Sequence, residues 1–152
     1  AGETEYAVYR QALAAGIKMS ECRLFELDGV RHFMTKRFDR FNGEKIHMLT
    51  LCGIAHMDYK RLHLYSYENA FSVMRQLQLP MPQIEEFYRR MVFNVIARNQ
   101  DDHTKNISFL MDKQGQWRLS PAYDMSWAYN PSGGWTNQHQ MSINGKFDEI
   151  TN

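Results

Sequence analysis

One polar stretch of the sequence, residues 99–106, gathers side chains that can take part in phosphate chemistry. It reads Asn-Gln-Asp-Asp-His-Thr-Lys-Asn and follows an apolar segment. Asp101 and Asn106 are five residues apart, and a further carboxylate, Asp124, comes later in the chain. In phosphoryl transfer from ATP, one Asp accepts or orients the proton of the attacking hydroxyl, while an Asn and a second Asp hold Mg²⁺. Convergence of Asp101, Asn106 and Asp124 would supply these groups.

Other interpretations of the loop are open at this level. The spacing from Asp101 to Asn106 is that of the protein-kinase catalytic loop, but spacing alone is a weak signal. Polar loops after helices commonly carry Asp and Asn as caps and turns. A metallohydrolase using Asp101, Asp102 and His103 is a further alternative, although adjacent residues rarely point at one metal. In a kinase, His103 would be a hydrogen-bonding group, because the loop already has its Asp.

A helix and a hairpin flank this loop and decide where its side chains lie. Apolar residues recur at three- and four-residue spacing over 84–96, which predicts a helix that ends just before the loop. Two short strands, 107–111 and 117–119, are predicted after the loop with a tight turn between them. Because a hairpin returns the chain close to its start, we expect Asp124 to lie near Asn106.

The rest of the chain predicts an α+β fold, with strands in the front part and helices behind. The acids at the start of the first segment and Gly16 after it are typical of a helix. Asp28-Gly29 between apolar runs predicts an antiparallel hairpin. The predicted elements are a helix over 3–15, strands over 24–27 and 30–38, a charged connection over 39–45, and a helix over 67–77 capped by Ser66.

The composition is that of an ordinary globular domain. The 152 residues carry 18 basic and 17 acidic side chains, so the net charge of +1 gives no reason to expect a polyanionic partner. Two cysteines are too few for a disulfide framework or a zinc site. No stretch is long and apolar enough for a membrane span or a signal sequence. We therefore expect a cytoplasmic protein with no membrane contact and no direct nucleic-acid site.

Four separated motifs carry a resemblance to a known family. Asp101-x-His103-x-Lys105-Asn106 lies between an apolar helix and the segment 120–124, which reads Ser-Pro-Ala-Tyr-Asp. The earlier segment 35–40 and the later segment 140–146 match in the same order. Over about residues 3–146 the chain resembles the C-terminal kinase domain of HipA-like serine/threonine kinases, the toxins of bacterial HipA/HipB toxin–antitoxin modules.

This resemblance implies a kinase-like fold and a role for each matching residue. It implies a mostly helical C-lobe, with antiparallel hairpins that carry the hinge and the metal-binding loop. Asp101 would be catalytic, and Asn106 and Asp124 would hold Mg²⁺. The implied ATP-binding residues are Lys36, Arg37 and Phe38 at the hinge, His103, Thr104, Lys105 and Asn106 at the phosphates, and Tyr123 and Asp124 beside them. Asp39 and Arg40 would instead form a local ion pair.

The resemblance also implies partners and a domain plan. The implied partners are a protein substrate, such as an aminoacyl-tRNA synthetase, and a HipB-like helix-turn-helix antitoxin. Residues 1–40 would be the end of the N-lobe with the hinge, and 41–152 part of the C-lobe, in one partial kinase domain. The phosphate loop and the C-terminal helices would lie outside this chain, so we expect the fragment alone to be inactive. A small-molecule or lipid kinase, or a non-catalytic interaction module, are the alternatives.

Overall fold

The computed structural model describes residues 2–61 and 63–150, and it mixes helices with antiparallel sheets, as predicted. The helices are α1 (Gly2–Ala14), α2 (Leu51–Ile54), α3 (Tyr67–Gln76) and α4 (Met81–Ile96), with a 3-10 turn at Thr104–Asn106. The strands are β1 (Cys22–Leu27), β2 (Val30–Thr35), β3 (Arg40–Phe41), β4 (Glu44–Lys45), β5 (His47–Thr50), β6 (Ser108–Met111) and β7 (Trp117–Leu119). The fold class predicted from the sequence is therefore confirmed at the level of α+β.

The amino-terminal part is a helix packed on a two-stranded hairpin. Helix α1 ends where Gly16 adopts a φ of 78°, a left-handed conformation that glycine accepts without strain. Strands β1 and β2 pair in register from Cys22 with Thr35 to Leu27 with Val30. Asp28 and Gly29 both have positive φ, as a tight hairpin turn requires. Both elements agree with the sequence-based prediction to within a few residues.

The segment 39–45, predicted as a connection, contains two short strands, and a strand that was not predicted, β5, follows it. Strands β3 and β4 form a very short hairpin around Asn42-Gly43, whose φ angles are 48° and 81°. Strand β5 then pairs with β6, which pairs with β7, giving a three-stranded antiparallel sheet in the order β5-β6-β7. The pairing of His47 with Met111 joins residues far apart in sequence. No local pattern could have indicated that partner.

Helices α3 and α4 form the back of the molecule. A capping box begins α3, because Ser66 and Asn69 exchange side-chain and backbone hydrogen bonds. Pro80 precedes α4, the longest helix at 16 residues. The main core cluster is made by Leu51, Tyr67, Ala70, Met74, Leu79, Phe87, Met91, Phe109, Leu119 and Met141. Within the described ranges no helix is long and apolar enough to cross a membrane.

A second, smaller core joins α1 to the segment after β7. It consists of Val8, Ala12, Ile17, Ala122 and Met125. The backbone N–H of Ala122 donates to the carbonyl of Lys18 at 2.8 Å, and Met19 and Ala122 form a parallel bridge. Since Asp124 lies between two residues of this cluster, Ala122 and Met125, the packing of α1 fixes its position in the fold.

Candidate active site

The polar loop leaves α4 through a backbone that is held in place. Arg98 adopts a φ of 51°, which turns the chain out of the helix. Asn99 donates its backbone N–H to the carbonyl of Asn94 at 2.9 Å and its side-chain amide to Asn94 Oδ1 at 3.0 Å. Gln100 N–H donates to the carbonyl of Ala128 at 3.2 Å. Hydrogen bonds thus fix Asn99 and Gln100, the two residues directly before Asp101.

Asp101 is half-buried and faces both a histidine and another carboxylate. His103 Nε2 lies 3.6 Å from Asp101 Oδ1. Burial raises the pKa of Asp101, His103 acts in the opposite direction, and the charges of Asp124 and Asp102 raise it further. Asp124 lines the same cavity as His103 and Asn106, so the hairpin returns this carboxylate to the polar loop. A carboxylate with a raised pKa is a better proton acceptor.

Asn106 and Asp124 offer oxygen atoms beside Asp101. The side-chain amide of Asn106 donates to the backbone carbonyl of Asp101 at 3.1 Å, which leaves Asn106 Oδ1 available as a ligand. Asp124 is exposed and has a φ of 54°, a conformation that Asp tolerates better than most residues. These two oxygen-bearing groups suit Mg²⁺, which takes few protein ligands and completes its shell with phosphate oxygens and water.

The metallohydrolase alternative has less support. Asp101, Asp102 and His103 do not form a metal site, because no group of three or more His, Cys, Asp or Glu side chains in 2–61 and 63–150 is placed to hold a metal ion. Asp102 is only 4% exposed and bonds to other protein groups. The donor set that remains at the surface is a carboxylate and a carboxamide, which fits a metal ion bound together with phosphates.

Tyr123 connects the loop, the hairpin and the predicted hinge. Its hydroxyl donates to the carbonyl of Lys105 at 2.7 Å and also hydrogen-bonds Ser108 Oγ. The ring of Phe38 lies 5.5 Å from the ring of Tyr123, measured between centroids. The structure thus brings Phe38 next to the loop that carries Asp101. Lys36 and Arg37 lie beside Phe38 on the exposed chain that follows β2.

The predicted ion pair near the hinge is confirmed, and it includes a third residue. Arg40 Nη1 lies 2.5 Å from Asp39 Oδ2, as expected from the sequence. Arg37 also holds Asp39 through two parallel hydrogen bonds of 2.8 and 2.6 Å. These hydrogen bonds lower the pKa of Asp39 to about 2. The guanidinium of Arg37 is therefore committed to Asp39 within the segment predicted as the hinge.

Lys105 and His103 are covered by an aromatic residue that sequence reasoning did not single out for the site. The ammonium of Lys105 lies 4.0 Å from the ring centroid of Tyr59, a cation–π contact. The ring of His103 lies 6.4 Å from the same ring. Thr104 is buried, and its hydroxyl has no partner among the described residues. The position of Tyr59 over the loop depends on tertiary contacts, which no local sequence pattern indicates.

A buried ion pair supports the segment that carries Asp124. Arg90 Nη2 donates to the carbonyl of Ser120 at 2.9 Å, and Arg90 Nε donates to Glu86 Oε1 at 3.2 Å. The same Glu86 oxygen accepts the backbone N–H of Lys18 at 2.8 Å. Burial lowers the pKa of Arg90, and the charge of Glu86 opposes that effect. Helix α4 therefore holds two other parts of the chain, at Lys18 through Glu86 and at Ser120 through Arg90.

Comparison with protein families identifies one match over nearly the whole chain. The model of the HipA-like C-terminal domain matches residues 1–151. The chain is 28% identical over 137 residues to "Putative kinase Y4dM" of Sinorhizobium fredii, a match that covers 81% of this chain and 33% of that protein. It is 27% identical over 136 residues to "Putative kinase" of Haemophilus influenzae, covering 80% of this chain and 40% of that one. The chain thus spans about a third of the relatives' length.

A solved structure shares the fold. The chain superposes with a TM-score of 0.80 on a chain from the Shewanella oneidensis MR-1 toxin–antitoxin system HipA, HipB and its operator DNA complex. The match covers 95% of this chain and 38% of that one, at 21% sequence identity. At this identity the superposition establishes a common fold.

Proposed function

Because the chain belongs to the family of HipA-like C-terminal domains, we propose that it carries the catalytic loop and the metal-binding Asp of an ATP- and Mg²⁺-dependent protein serine/threonine kinase. The observation that supports this most is the cavity lined by His103, Asn106 and Asp124, with Asn106 bonded to the Asp101 carbonyl. The names of the curated relatives agree with a kinase-type function. The protein acceptor and the serine/threonine specificity belong to the proposal.

In the proposed reaction Asp101 acts on the hydroxyl of the substrate. Its carboxylate accepts or orients the hydroxyl proton, and its raised pKa makes the carboxylate more basic. His103 Nε2 lies 3.6 Å from Asp101 Oδ1, so the imidazole stands beside the reacting carboxylate. Asn106 keeps the backbone of Asp101 fixed, so the carboxylate approaches the hydroxyl with little reorganisation.

The nucleotide would lie between the loop and the hinge. Asn106 and Asp124 would hold Mg²⁺, which when bound neutralises charge on the phosphates. Lys105 and His103 are the basic groups on the phosphate side, with Thr104 in the same turn. The adenine edge would meet the backbone of Lys36, Arg37 and Phe38. The packing of Phe38 against Tyr123 supports this arrangement, because it joins the hinge to the loop.

The cellular setting is also a proposal. The matched Shewanella structure contains HipA with HipB and operator DNA. By analogy we propose a HipB-like antitoxin as partner, a protein substrate such as an aminoacyl-tRNA synthetase, self-phosphorylation, and a cytoplasmic location. No residue described here identifies the acceptor, so a lipid or small-molecule hydroxyl is the alternative that the test must separate.

The test uses the whole protein with γ-labelled ATP, Mg²⁺, a cell extract and a lipid fraction. We expect label on the kinase itself or on an extract protein, and loss of that label when Mg²⁺ is chelated. Label found only on a lipid or a small molecule would show that the acceptor is not a protein, and the proposed phosphoryl transfer from ATP would stand. Absence of label on every acceptor, with a protein that is folded, would contradict the proposed function.

A further inference from the structure

Asp102 is a buried carboxylate directly after the proposed catalytic residue, and it belongs to none of the roles assigned above. It is 4% exposed, whereas the side chain of Asp101 is 36% exposed. Burying a carboxylate is costly unless several donors bond to it. The burial of the Asp102 carboxylate beside the proposed reacting site therefore needs a physical explanation.

Three donors converge on this carboxylate. The hydroxyl of Tyr67 donates to Asp102 Oδ2 at 2.7 Å, and the backbone N–H of Gln140 donates to Oδ1 at 2.7 Å. His139 Nδ1 lies 2.9 Å from Oδ2, and His139 is itself only 3% exposed. Since a carboxylate only accepts, this arrangement satisfies it and orders three separate groups around it.

The three donors come from two parts of the chain that are far apart in sequence, Tyr67 in one and the adjacent residues His139 and Gln140 in the other. Tyr67 is the first residue of α3, and its hydroxyl also accepts a hydrogen bond of 3.0 Å from the Asn94 side chain of α4. Tyr67 N–H donates to the carbonyl of Ser142 at 2.9 Å, which ties the strand-like segment 139–142 to the start of α3. Asp102 therefore joins the loop to α3, to α4 and to segment 139–142 at one point.

Asp101 and Asp102 lie outside any helix or strand, and the two side chains have different surroundings. Asp102 is held on the buried side, while Asp101 Oδ1 lies 3.6 Å from His103 Nε2. Before Asp101, the N–H of Gln100 donates to the carbonyl of Ala128; after the Asp101 Cα, the Asp101 carbonyl accepts the Asn106 amide and Asp102 is anchored. These constraints fix the backbone on both sides of the Asp101 Cα, and with it the position from which the carboxylate projects.

We propose that Asp102 is a positioning residue, which fixes the direction of the Asp101 carboxylate by binding Tyr67, His139 and the Gln140 N–H. The inference rests on the proposed function, because its consequence for rate requires that Asp101 acts on a substrate. Its structural consequence, the anchoring of the loop by Asp102, does not depend on the proposed function. Misplacement of a reacting group by about 1 Å can cost about 10²-fold in rate, so a loop released from this anchor loses kcat.

The activity test uses Asp102→Asn in the whole protein. Asparagine has nearly the same shape, but its NH₂ group would face donors and leave at least one of them unpaired. We expect kcat to fall at least about tenfold, with a clearly smaller rise in KM for ATP, because the loop contacts at 103–106 loosen while the proposed contacts at 36–38 are untouched. Tyr67→Phe, which removes one donor and keeps the ring, should give a smaller loss of kcat in the same direction.

The matched control is Met74→Ala. Met74 is fully buried in the same core cluster as Tyr67 and bears no polar group, so its truncation should destabilise the core without touching the hydrogen bonds of Asp102. If Met74→Ala lowers kcat as much as Asp102→Asn, or if Asp102→Asn raises KM as much as it lowers kcat, the positioning role is wrong.

A second measurement does not depend on activity. Amide hydrogen exchange in Asp102→Asn should accelerate at Gln140 and in the loop 99–106, and stay unchanged in the β1–β2 hairpin. Unchanged exchange at the loop would overturn the inference even if the parent is an active kinase. A parent that transfers no phosphate, with exchange behaving as expected, would instead overturn the proposed function and leave the anchoring role of Asp102 standing.

Discussion

At the scale of single residues, Asp101 occupies a position that is unfavourable for a charged group. Burial and the neighbouring charges of Asp124 and Asp102 raise its pKa. By contrast, hydrogen bonds from Arg37 lower the pKa of Asp39 to about 2. A raised pKa means that the ionised acid destabilises the fold, and a lowered pKa means that it stabilises the fold. The two acids therefore have opposite effects on stability at neutral pH.

Asp101→Asn should raise the melting temperature at neutral pH in the absence of nucleotide and Mg²⁺. The stability linked to a raised pKa is fully present below the ordinary pKa of Asp, and is lost as pH rises through the raised value. The advantage of the variant should therefore shrink as the pH is lowered toward about 4. Thermal melts at several pH values measure this, and a lower melting temperature at pH 7 would contradict it.

Asp39→Asn is the matched comparison, and it should lower the melting temperature at neutral pH. Its contribution is present above the ordinary pKa of Asp and disappears as pH falls through about 2. The same melts therefore distinguish an acid kept for chemistry from an acid kept for structure. If both variants shift the melting temperature in the same direction at pH 7, the opposite environments assigned to Asp101 and Asp39 are wrong.

The sequence was sufficient to predict some contacts of the candidate site and insufficient for others. Residue types singled out Asp101, Asn106 and Asp124, and a hairpin was expected to bring Asp124 near Asn106. The hairpin is present, and Asn106 and Asp124 line the same cavity. The contact between Tyr59 and Lys105 could not be predicted, because a loop far away in the chain supplies the ring. The burial of Asp102 depends in the same way on Tyr67 and His139.

At the scale of elements, α4 and the β6–β7 hairpin set the distance between the loop and Asp124. The hairpin was predictable because its signals are local: a short apolar strand, an Asp-initiated turn and a second strand. Asp112 Oδ1 accepts the N–H groups of Gln114 and Gln116 at 2.9 Å each, which closes that turn. Strand β5 was not predicted, because its existence depends on pairing with β6 across the fold. Helices α1, α3 and α4 followed from apolar spacing and end signals, whereas α2, a single turn capped by Thr50, was not predicted.

Glu86→Gln should destabilise the protein by about 3 kcal/mol, because it leaves the buried guanidinium of Arg90 without its anionic partner. Glu85→Gln is the control, since Glu85 is the exposed neighbour on the same helix. Denaturant unfolding of the two variants measures the difference. A cost for Glu86→Gln no larger than that for Glu85→Gln would show that the pair does not anchor the segment before Asp124.

At the scale of the whole molecule, this chain corresponds to about a third of its curated relatives. Kinases hold the inner phosphates of ATP with a glycine-containing loop and a strand lysine. The glycines that precede Phe38 have other roles: Gly2 lies in α1, Gly16 follows that helix, and Gly29 is in the hairpin turn. The described residues therefore supply the loop and metal side of the proposed site, without a phosphate loop before the hinge.

The isolated 152-residue chain should consequently bind Mg²⁺-ATP at least about tenfold more weakly than the whole protein, and should transfer no phosphate. Calorimetry on both proteins measures the affinities, with cooperative thermal unfolding as the check that the isolated chain is folded. An affinity equal to that of the whole protein would show that residues 1–152 contain a complete nucleotide site.

The most direct test of the central claim is the rate of phosphate transfer from γ-labelled ATP by the whole protein carrying Asp101→Asn. Asp28→Asn is the control, because Asp28 is an exposed aspartate in the turn between β1 and β2. The proposed role of Asp101 predicts that Asp101→Asn lowers the rate about 10²-fold or more, while Asp28→Asn matches the parent. Equal rates for Asp101→Asn and the parent would contradict the assignment of this loop as the catalytic site.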